Sequence, residues 1–516
     1  MDFEAQIQAL LAQPPPEQQE LRSKELTSGL SVEVRLDAGG GKGKGVFATQ
    51  VFAAGEVVLQ DPPLAAIQHT ANRGEAWVCG HCFRFIGSVE QQIARQIMAA
   101  REAAQADADS EAASDDGEGA EEGSSHGDDL QREAALALSD EQLEALASGE
   151  LRLPGTDAVP LPRPVRCPGG CCEEWYCSSR CAEAAWEQYH QLLCVGPEAE
   201  DATQGQLTDA TAAAGKGKAA AEEPSSNSRG EGGAELAARR EALREFLHHA
   251  DSTNDIFRLA ALVVAKTLLG AQRQLDANPG AAGGSSSSSG SGGASTGREP
   301  SAEACWRALL AAWQPFAVGH KGLWWECTAA PPEATADMRQ LAADSLELLC
   351  AAMPPRLLSR FPALLTLPVW GSIIGMFELN NLALFVPSPL QRWLDLLGQL
   401  PPGEQEAAYA AAGPFIEALP EELPGCEGNA FYGLHSCCNH SCAPNAEAFK
   451  RDQDDNGCAV ILALRDIAPG EEVTLSYIDE EAPLEERREQ LGEYGFACAC
   501  DKCSAEELAA ELAGGL

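Results

Sequence analysis

The sequence predicts an α+β protein in which mixed β-structure is interrupted by a cysteine-rich segment and a helical segment. β-Branched, alternating stretches separated by Gly turns occur in residues 31–69 and again in residues 366–503. Residues 235–365 carry apolar side chains at helical spacing. The cysteine-rich segment lies between the first β region and the helical region. We therefore expect mixed β-structure with an inserted helical region.

The strands are predicted from short apolar runs that end at Gly or Pro turns. In the first β region these runs are VEVRL and GVFATQVFAAGEVVLQDPPLAAI. In the second region they are GSIIGMFEL, LALFV, CAVILALRDI and EVTLSYI. Their β-branched residues favour an extended backbone. All of these runs are expected to form strands.

Three low-complexity segments interrupt the predicted folded regions. Residues 101–150 contain 16 Asp or Glu and only 2 Arg in an Ala/Gly/Ser background, which predicts a solvated, disordered insert. Residues 196–234 read as a second disordered spacer, and residues 276–300 include the flexible run GAAGGSSSSSGSGGAS. Such segments have too few apolar side chains to offset the entropy lost on ordering. We expect residues 101–130, 200–230 and 276–300 to be dispensable for catalysis.

The chain is strongly acidic, and this charge excludes some classes of partner. Its 516 residues carry a formal net charge of -42. Such a surface repels phosphates, so no direct nucleic-acid site is predicted. It suits a basic partner, such as a Lys/Arg-rich protein tail. No apolar run approaches the roughly 18 residues of a membrane span, so no membrane association is expected.

The 19 cysteines indicate metal binding rather than disulfides. The first residues, MDFEAQIQALLAQ, lack the basic and apolar regions of a signal peptide, so a reducing, intracellular setting is expected. In that setting clustered cysteines usually bind metal. A short Cys-x2–4-Cys turn places two thiolates on one zinc ion, and two such pairs complete a site. Four pairs have this form and predict two zinc ions: Cys79/Cys82, Cys167/Cys171, Cys177/Cys181 and His190/Cys194.

Spacing alone does not decide the identity of one ligand in these pairs. Cys171 and Cys172 are adjacent, and either could pair with Cys167. Cys171 is favoured because the intervening Pro-Gly-Gly forms a natural turn. His190 and Cys194 lie four residues apart, on one face of the predicted helix CAEAAWEQYHQLLC.

A third cluster near the end of the chain provides three thiolates, in the pattern Cys498-x-Cys500-x2-Cys503. It needs a fourth ligand, for which the heptapeptide NHSCAPN at residues 439–445 is the natural source.

The order of these motifs resembles that of a known enzyme family. The NHSCAPN peptide, the later EVTLSY run and the CxCxxC tail resemble the signature of SET-domain lysine methyltransferases. The cysteine-rich segment resembles a MYND zinc finger, so the chain is similar to the SET-and-MYND (SMYD-type) subfamily. The peptides CFRFIGSVEQQI and GMFELNNLALFV are most similar to its plant and algal trithorax-related members. The resemblance covers about residues 31–195 and 365–503.

This resemblance implies a fold and a set of boundaries. The fold is a pseudo-knotted, mixed-β SET domain with an inserted MYND finger, an inserted helical region and a zinc-bound post-SET tail. The implied segments are an N-terminal segment 1–30, the first part of SET 31–78, the interrupted finger 79–195, the linker 196–234, the helical insert 235–365, the SET core 366–484 and the post-SET tail 485–516.

The resemblance also implies how the metal ligands combine. In the finger the pairs interleave, and Cys442 completes the post-SET site. Three zinc ions per chain follow, held by the quartets Cys79/Cys82/Cys177/Cys181, Cys167/Cys171/His190/Cys194 and Cys442/Cys498/Cys500/Cys503. The post-SET zinc would tie the tail to the NHSC peptide and form one wall of the lysine channel.

The cofactor implied by the resemblance is S-adenosyl-L-methionine. A Gly-x-Gly turn, Gly43-Lys44-Gly45, allows close backbone approach, although such a turn alone is as often an ordinary hairpin. A lone histidine is usually a satisfied core residue, but within NHSCAPN the binding role is favoured. Asn381 is the alternative to Asn380. The implied cofactor contacts are Lys44, Gly45, Asn380, Ser436, Cys438, Asn439, His440, Tyr477 and Phe496.

Tyr477 and Tyr494 are the residues that the resemblance implies for catalysis. Methyl transfer to an amine is an in-line displacement that needs a deprotonated lysine held on axis in a dry channel. A tyrosine hydroxyl can orient that amine, and desolvation favours its neutral form. For Tyr477 the competing interpretation is an ordinary edge-strand aromatic residue.

The expected activity is methylation of a lysine on a basic protein tail, with a histone H3 tail favoured, in the nucleus and possibly also the cytoplasm. Two alternatives remain. One is a non-histone substrate. The other is a MYND-based adaptor that binds Pro-rich transcription regulators, which would not need an intact NHSCAPN peptide, Tyr477 and CxCxxC tail together.

Overall fold

The structure is a computed structural model. The structure describes residues 2–113, 126–197, 233–278, 299–317, 319, 322–327, 331–451 and 453–514. Twelve strands lie within these residues. They are β1 Val32–Arg35, β2 Gly45–Ala48, β3 Val57–Asp61, β4 Pro63–Gln68, β5 Val165–Arg166, β6 Trp175–Tyr176, β7 Asn381–Val386, β8 Cys426–Tyr432, β9 Asn439–His440, β10 Ala446–Ala448, β11 Ala459–Ala463 and β12 Glu472–Leu475.

Small mixed sheets combine the two β regions of the sequence. The first has the order β1-β2-β12-β9, the second β10-β11-β3 and the third β4-β8-β7. Each contains strands from both ends of the chain, which lie more than 300 residues apart. The predicted α+β class with mixed sheets is confirmed. Strands β5 and β6 pair separately, within the cysteine-rich segment.

The helices frame these sheets. In chain order they are Phe3–Leu11, Pro16–Leu26, Val89–Ala113, His126–Ala137, Asp140–Ser148, Ser179–Ala185, Gln191–Leu193, Gly233–Thr253, Ile256–Ala277, Ala302–Trp313, Trp324–Cys327, Pro332–Ala352, Pro355–Arg360, Leu367–Asn380, Pro389–Gly398, Pro402–Ile416, Leu484–Glu493 and Asp501–Gly514. The helical region predicted for residues 235–365 is therefore present. No helix among the described residues is long and apolar enough to cross a membrane.

The prediction of a strand at GSIIGMFEL is wrong, because these residues belong to the helix Leu367–Asn380. Its apolar residues are buried on several sides, as at Trp370 and Phe377. A short, wholly apolar run has no period that separates a buried strand from a buried helix. Gly375 lies so close to the Gly322 carbonyl that a Cβ would be 2.3 Å from that oxygen. Tertiary contacts, rather than a local sequence period, therefore determine this close helix packing.

The acidic insert also differs from expectation, because helices cover much of residues 101–150. The helix Asp140–Ser148 begins with a capping box between Ser139 and Gln142. Leucines 138, 143 and 146 are buried against the helix Pro389–Gly398. The later part of the insert has apolar residues at helical spacing, but its net acidic charge led to the prediction of disorder.

The other two low-complexity segments fall largely outside the described residues, as does the centre of the acidic insert. The largest core cluster joins the finger, the helical insert and the N-terminal helix Phe3–Leu11, whose Leu10 is fully buried. A separate cluster lies between the sheets beside β2 and β12. This second core supports the strands on which the predicted cofactor residues lie.

Candidate active site and metal centres

Within the described part of the chain, three groups of Cys and His side chains could hold metal ions, and they are the three quartets predicted from the sequence. Within each group the four ligand atoms lie within 4.8 Å of one another. They are Cys79/Cys82/Cys177/Cys181, Cys167/Cys171/His190/Cys194 and Cys442/Cys498/Cys500/Cys503. The finger pairs interleave, as the resemblance implies.

The spacing within these quartets suits zinc. Bonds of about 2.3 Å to a tetrahedral zinc separate two sulfurs by roughly 3.8 Å. The Sγ atoms of Cys167 and Cys194 are 3.7 Å apart, and His190 Nε2 is 3.4 Å from Cys171 Sγ. In the post-SET quartet the Sγ atoms of Cys442 and Cys503 are 3.5 Å apart. Donor type and separation therefore both fit Zn²⁺.

The local fold explains which neighbouring cysteine faces the second finger quartet. Cys171 is buried in the quartet, whereas Cys172 is exposed and its carbonyl accepts a hydrogen bond from Trp175 Nε1. The helix Ser179–Ala185 then continues through a π-turn at Trp186–His190. Such π-turns are frequent at functional sites. This one brings His190 onto the quartet.

The candidate cofactor site forms where the NHSCAPN peptide meets the strand that precedes Tyr477. Strands β9 and β12 are parallel, with Asn439 opposite Thr474 and His440 opposite Leu475. The adjacent β2 pairs with β12, so the Gly-x-Gly turn before it lies beside the same peptide. Three segments distant in sequence thereby meet in one sheet.

Asn439 is held in one orientation by two hydrogen bonds. Its Nδ2 donates to the Lys44 carbonyl and to Glu472 Oε1, both at 2.7 Å. Among the described residues no donor reaches its Oδ1, which is free to accept from a ligand amine. Glu472 also forms an ion pair of 2.8 Å with Lys42 in the glycine-rich turn. The site therefore fits a cofactor that carries an amino group.

Position 45 requires glycine because a side chain would not fit there, and not because of the backbone angle. A Cβ there would lie 2.8 Å from the Ala38 Cβ and 2.9 Å from Glu472 Oε1. The turn before it contains Gly39, Gly40, Gly41 and Gly43, all at positive φ. Burial lowers the pKa of the neighbouring Lys44 amine.

His440 connects the candidate cofactor site to the post-SET quartet. Its Nδ1 accepts the Tyr477 backbone N–H at 3.1 Å, and its Nε2 lies 3.2 Å from Cys442 Sγ. Because Nδ1 accepts, the ring proton is on Nε2 and points to the sulfur. Burial lowers the pKa of His440 to about 4, which keeps the ring neutral.

The predicted catalytic tyrosines belong to one aromatic cluster. The ring of Tyr477 lies 5.4 Å from those of His440 and Tyr494 and 6.4 Å from that of Phe496. The Tyr477 hydroxyl donates to the Cys438 carbonyl at 2.5 Å, and burial raises its pKa. Tyr494 and Phe496 are each 38% exposed. The cluster therefore has an opening to solvent, and the half-buried Tyr477 hydroxyl is bonded to the backbone at its base.

The remaining predicted cofactor residues are less closely connected to Asn439 and His440. Ser436 and Cys438 lie in the loop before Asn439, and their side chains donate to backbone carbonyls of that loop. Asn380 ends its helix with Nδ2 bonded to the Met376 carbonyl at 2.9 Å. No described hydrogen bond joins Asn380 to Asn439 or His440. Asn381 begins β7, opposite Phe431.

Asp61 is a site residue that the sequence analysis missed. It ends β3, is only 3% exposed, and its Oδ2 accepts the backbone N–H groups of Leu434 and His435 at 2.6 and 2.9 Å. These two residues begin the loop that leads to Ser436 and Cys438. Burial raises the pKa of Asp61 to about 6, against the lowering effect of these hydrogen bonds. The signal in the sequence that could have indicated Asp61 is the Asp61-Pro62 dipeptide, which follows a predicted strand.

Comparison with known proteins supports the same assignment. The SET domain family matches residues 374–478. The histone-lysine N-methyltransferase ATXR2 of Arabidopsis thaliana is 38% identical over 512 residues, which is 97% of each chain. The human protein-lysine N-trimethyltransferase SMYD5 is 26% identical over 493 residues, 92% of this chain and 87% of the relative. Human SMYD3, a histone-lysine N-methyltransferase, is 39% identical over 90 residues, 17% of this chain and 20% of the relative.

These matches agree with the geometry. The SET match includes Asn439, His440, Cys442 and Tyr477, and the similarity to ATXR2 spans almost the whole chain. An adaptor without catalysis has no need for the conjunction of aromatic cluster, oriented Asn439 and post-SET quartet. The chain therefore belongs to the SET-and-MYND family of S-adenosylmethionine-dependent protein lysine methyltransferases.

Proposed function

We propose that this methyltransferase modifies a lysine of a histone H3 tail. The relative ATXR2 is named for activity on histone lysine, and it aligns over 97% of this chain. The net charge of -42 favours a Lys/Arg-rich substrate. A nuclear location follows from this substrate.

The observation that carries the proposed chemistry is the half-buried Tyr477 hydroxyl at the base of an aromatic cluster. Its hydrogen bond to the Cys438 carbonyl fixes the hydroxyl beside Asn439 and His440. We assign Tyr477 to orienting the substrate amine and Tyr494 to the channel wall. Aromatic walls exclude water and favour the neutral amine, which is the nucleophile.

We assign the cofactor site to Lys44, Gly45, Asn439, His440 and Phe496, with backbone contacts from Ser436 and Cys438. S-adenosylmethionine, when bound, supplies an electrophilic methyl group on a sulfonium. Asn439 Oδ1 is oriented to accept from its amino group. Asn380, at the end of its helix, remains the proposed polar contact, with Asn381 at the start of β7 as the alternative.

We further assign one zinc ion to each Cys/His quartet. The two finger ions stabilise the interleaved loops around β5 and β6. The post-SET ion joins Cys442 in the NHSCAPN peptide to the tail that carries Tyr494 and Phe496. Because this tail contributes two members of the aromatic cluster, its metal supports the channel as well as the fold.

The finger is also proposed to bind Pro-rich segments of transcription regulators, which would bring the enzyme to its substrate. This second role rests on the MYND resemblance and does not replace the catalytic one.

The test is methylation of H3 by purified full-length protein with radiolabelled S-adenosylmethionine. Tail peptides that each carry one Lys→Arg substitution would locate the modified lysine. We expect one substitution to abolish labelling while the others leave it intact. Efficient labelling of another protein with none of H3 would contradict the histone assignment and indicate a non-histone substrate.

A further inference from the structure

A cavity away from the candidate active site lies where four parts of the chain meet. Its volume is about 300 Å³, at the lower end of the roughly 300–1,000 Å³ typical of small-molecule sites. Its walls come from β4, from the helix Val89–Ala113, from the finger and from the helices Gly233–Thr253 and Ile256–Ala277. None of the aromatic cluster around Tyr477 lines it.

Arginines line this cavity, and one of them has no counter-charge. Arg73 forms an ion pair of 2.9 Å with Glu174, and Arg258 pairs with Asp251 at 2.5 Å. Among the described residues no carboxylate forms an ion pair with Arg95. Burial lowers its pKa, and no neighbouring carboxylate opposes that effect. A half-buried cation without a partner is costly, and an anion in the cavity would remove that cost.

An aromatic pair faces the same space. The rings of Trp77 and Trp175 meet edge to face, with centroids 5.6 Å apart. The Arg95 guanidinium lies 5.0 Å from the Trp77 ring centroid. Buried donors nearby are unsatisfied, because Trp77 Nε1 and Arg73 Nε have no hydrogen-bond partner in the described structure. Both donors belong to residues that line the cavity.

We propose that this cavity, which we call the Trp77–Arg95 cavity, binds a small organic monocarboxylate with a flat apolar body. The carboxylate would pair with Arg95, while the body would lie against the two tryptophans. The lining charges favour one negative charge, since Arg73 and Arg258 already have partners and Glu173 and Glu174 repel a second. The volume admits a small molecule more readily than a folded partner segment.

Such a ligand would couple the finger to the catalytic domain. Gly80 and Trp175 in the finger are joined by a backbone hydrogen bond of 2.8 Å, while Ile67 on β4 and Phe246 come from elements outside the finger. A bound molecule would therefore contact both sides of this junction. It would stabilise the folded protein in proportion to its affinity.

The test is calorimetry on full-length, zinc-loaded protein with benzoate, phenylacetate, 2-naphthoate and octanoate as probes. We expect saturable binding of at least one aromatic acid and a raised melting temperature. Its neutral amide is expected to bind about tenfold more weakly, which is the loss of one charge-assisted bond. Arg95→Gln is expected to cause a similar loss, and Arg95→Lys to restore part of it.

Arg166→Gln is the matched control, because Arg166 lies 5.1 Å from the Trp175 ring centroid but does not line the cavity. It should bind the probe as wild type does. S-adenosylmethionine affinity reports whether each variant is folded. Absence of binding of all four acids up to about 10 mM, a range that covers affinities of about -3 kcal/mol, would overturn the proposal. So would equal binding of the amide and no effect of Arg95→Gln, or displacement of every probe by an acidic peptide that binds more tightly.

Discussion

At the scale of single residues, the candidate site depends on short polar contacts between segments that are distant in sequence. The Tyr477 hydroxyl reaches the Cys438 carbonyl, and Asn439 is clamped between Lys44 and Glu472. Each contact joins a side chain with a proposed direct role to the backbone or side chain that orients it. Substitutions at this scale should therefore separate chemistry from cofactor binding.

Tyr477→Phe is expected to reduce methyl transfer while leaving cofactor binding intact. The substitution removes one hydroxyl and keeps the ring, so the barrier should rise by about 2–4 kcal/mol, as for loss of one preorganised donor. Single-turnover rates with a saturating H3 peptide measure this change. S-adenosylmethionine affinity, measured by calorimetry, should change by less than about twofold, well under 1 kcal/mol.

Tyr409→Phe is the matched control for this change. Tyr409 is 40% exposed on the helix Pro402–Ile416, outside the aromatic cluster. It should retain the wild-type rate. A fully active Tyr477→Phe enzyme would contradict the assignment of Tyr477.

Asp61→Asn is expected to remove a pH-dependent part of the stability. Burial raises the folded-state pKa of Asp61 from 3.8 to about 6, so the folded state binds this proton more tightly than the unfolded state. This contribution to stability is complete below pH 4 and is lost as the pH rises through about 6. The free energy of unfolding of wild type relative to Asp61→Asn should thus increase by about 1–3 kcal/mol between about pH 7.5 and pH 4.

Urea unfolding of both proteins at several pH values measures this difference. At neutral pH the ionised carboxylate anchors the loop before Ser436, so Asp61→Asn should also weaken S-adenosylmethionine binding by about 3–10-fold. Parallel pH curves for the two proteins would show that Asp61 does not titrate as described.

Cys503→Ser is expected to lower the zinc content from three ions to two per chain. Loss of the post-SET ion releases the tail that carries Tyr494 and Phe496, so activity should fall more than about 100-fold, at the upper end of the range for loss of metal-site interactions. Cys172→Ser, at an exposed cysteine outside the quartets, should retain three zinc ions and full activity. Elemental analysis giving one zinc or none in folded wild-type protein would contradict the assignment of the quartets.

At the scale of elements, helices of the acidic insert contribute to a core, although the insert as a whole is highly charged. Arg101 donates to the Ala135 carbonyl and to Asp140, both at 2.8 Å, which joins the helix Val89–Ala113 to the next two helices. The same helices pack on Pro389–Gly398 through buried leucines. The insert therefore supports an element next to the SET core.

Two variants test residues 131–150 and residues 114–125 of the insert separately. Removal of residues 131–150 should lower stability by about 3 kcal/mol or more, because it deletes several buried leucines, each worth about 2–5 kcal/mol when truncated. Replacement of residues 114–125 by a short Gly/Ser linker should leave the melting temperature and activity near wild type, because loop length costs little entropy. Equal melting temperatures for both variants would contradict this packing.

At the scale of the whole molecule, the finger and the helical insert share one hydrophobic core. Cys79, Cys167 and Cys194 belong to the same buried cluster as the helix Ile256–Ala277. Metal bound in the finger would therefore be coupled to the packing of the catalytic domain. The net charge of -42 would act at the same scale, by attracting the basic substrate proposed above over distances that depend on salt screening.

The affinity for an H3 peptide should depend on ionic strength. Raising NaCl from about 50 to about 300 mM shortens the screening length from roughly 14 to 6 Å, so KM for the peptide should rise by at least about fivefold. KM for S-adenosylmethionine should remain nearly constant, which serves as the internal control. An unchanged KM for the peptide would indicate that the acidic surface does not guide the substrate.

The sequence by itself predicted the Cys/His pairs and the NHSCAPN peptide, because ligand chemistry and short spacing are local properties. The family resemblance implied how the pairs combine, and the tertiary structure brings the members of each quartet together. The family followed from the order of these motifs. Only the tertiary structure decided that GSIIGMFEL is a helix, since a short apolar run buried on all sides carries no distinguishing period. It also decided the roles of Asp61 and Glu472 and the existence of the Trp77–Arg95 cavity. These features depend on side chains separated by up to several hundred residues, which are brought together when the two halves of the β-structure pair.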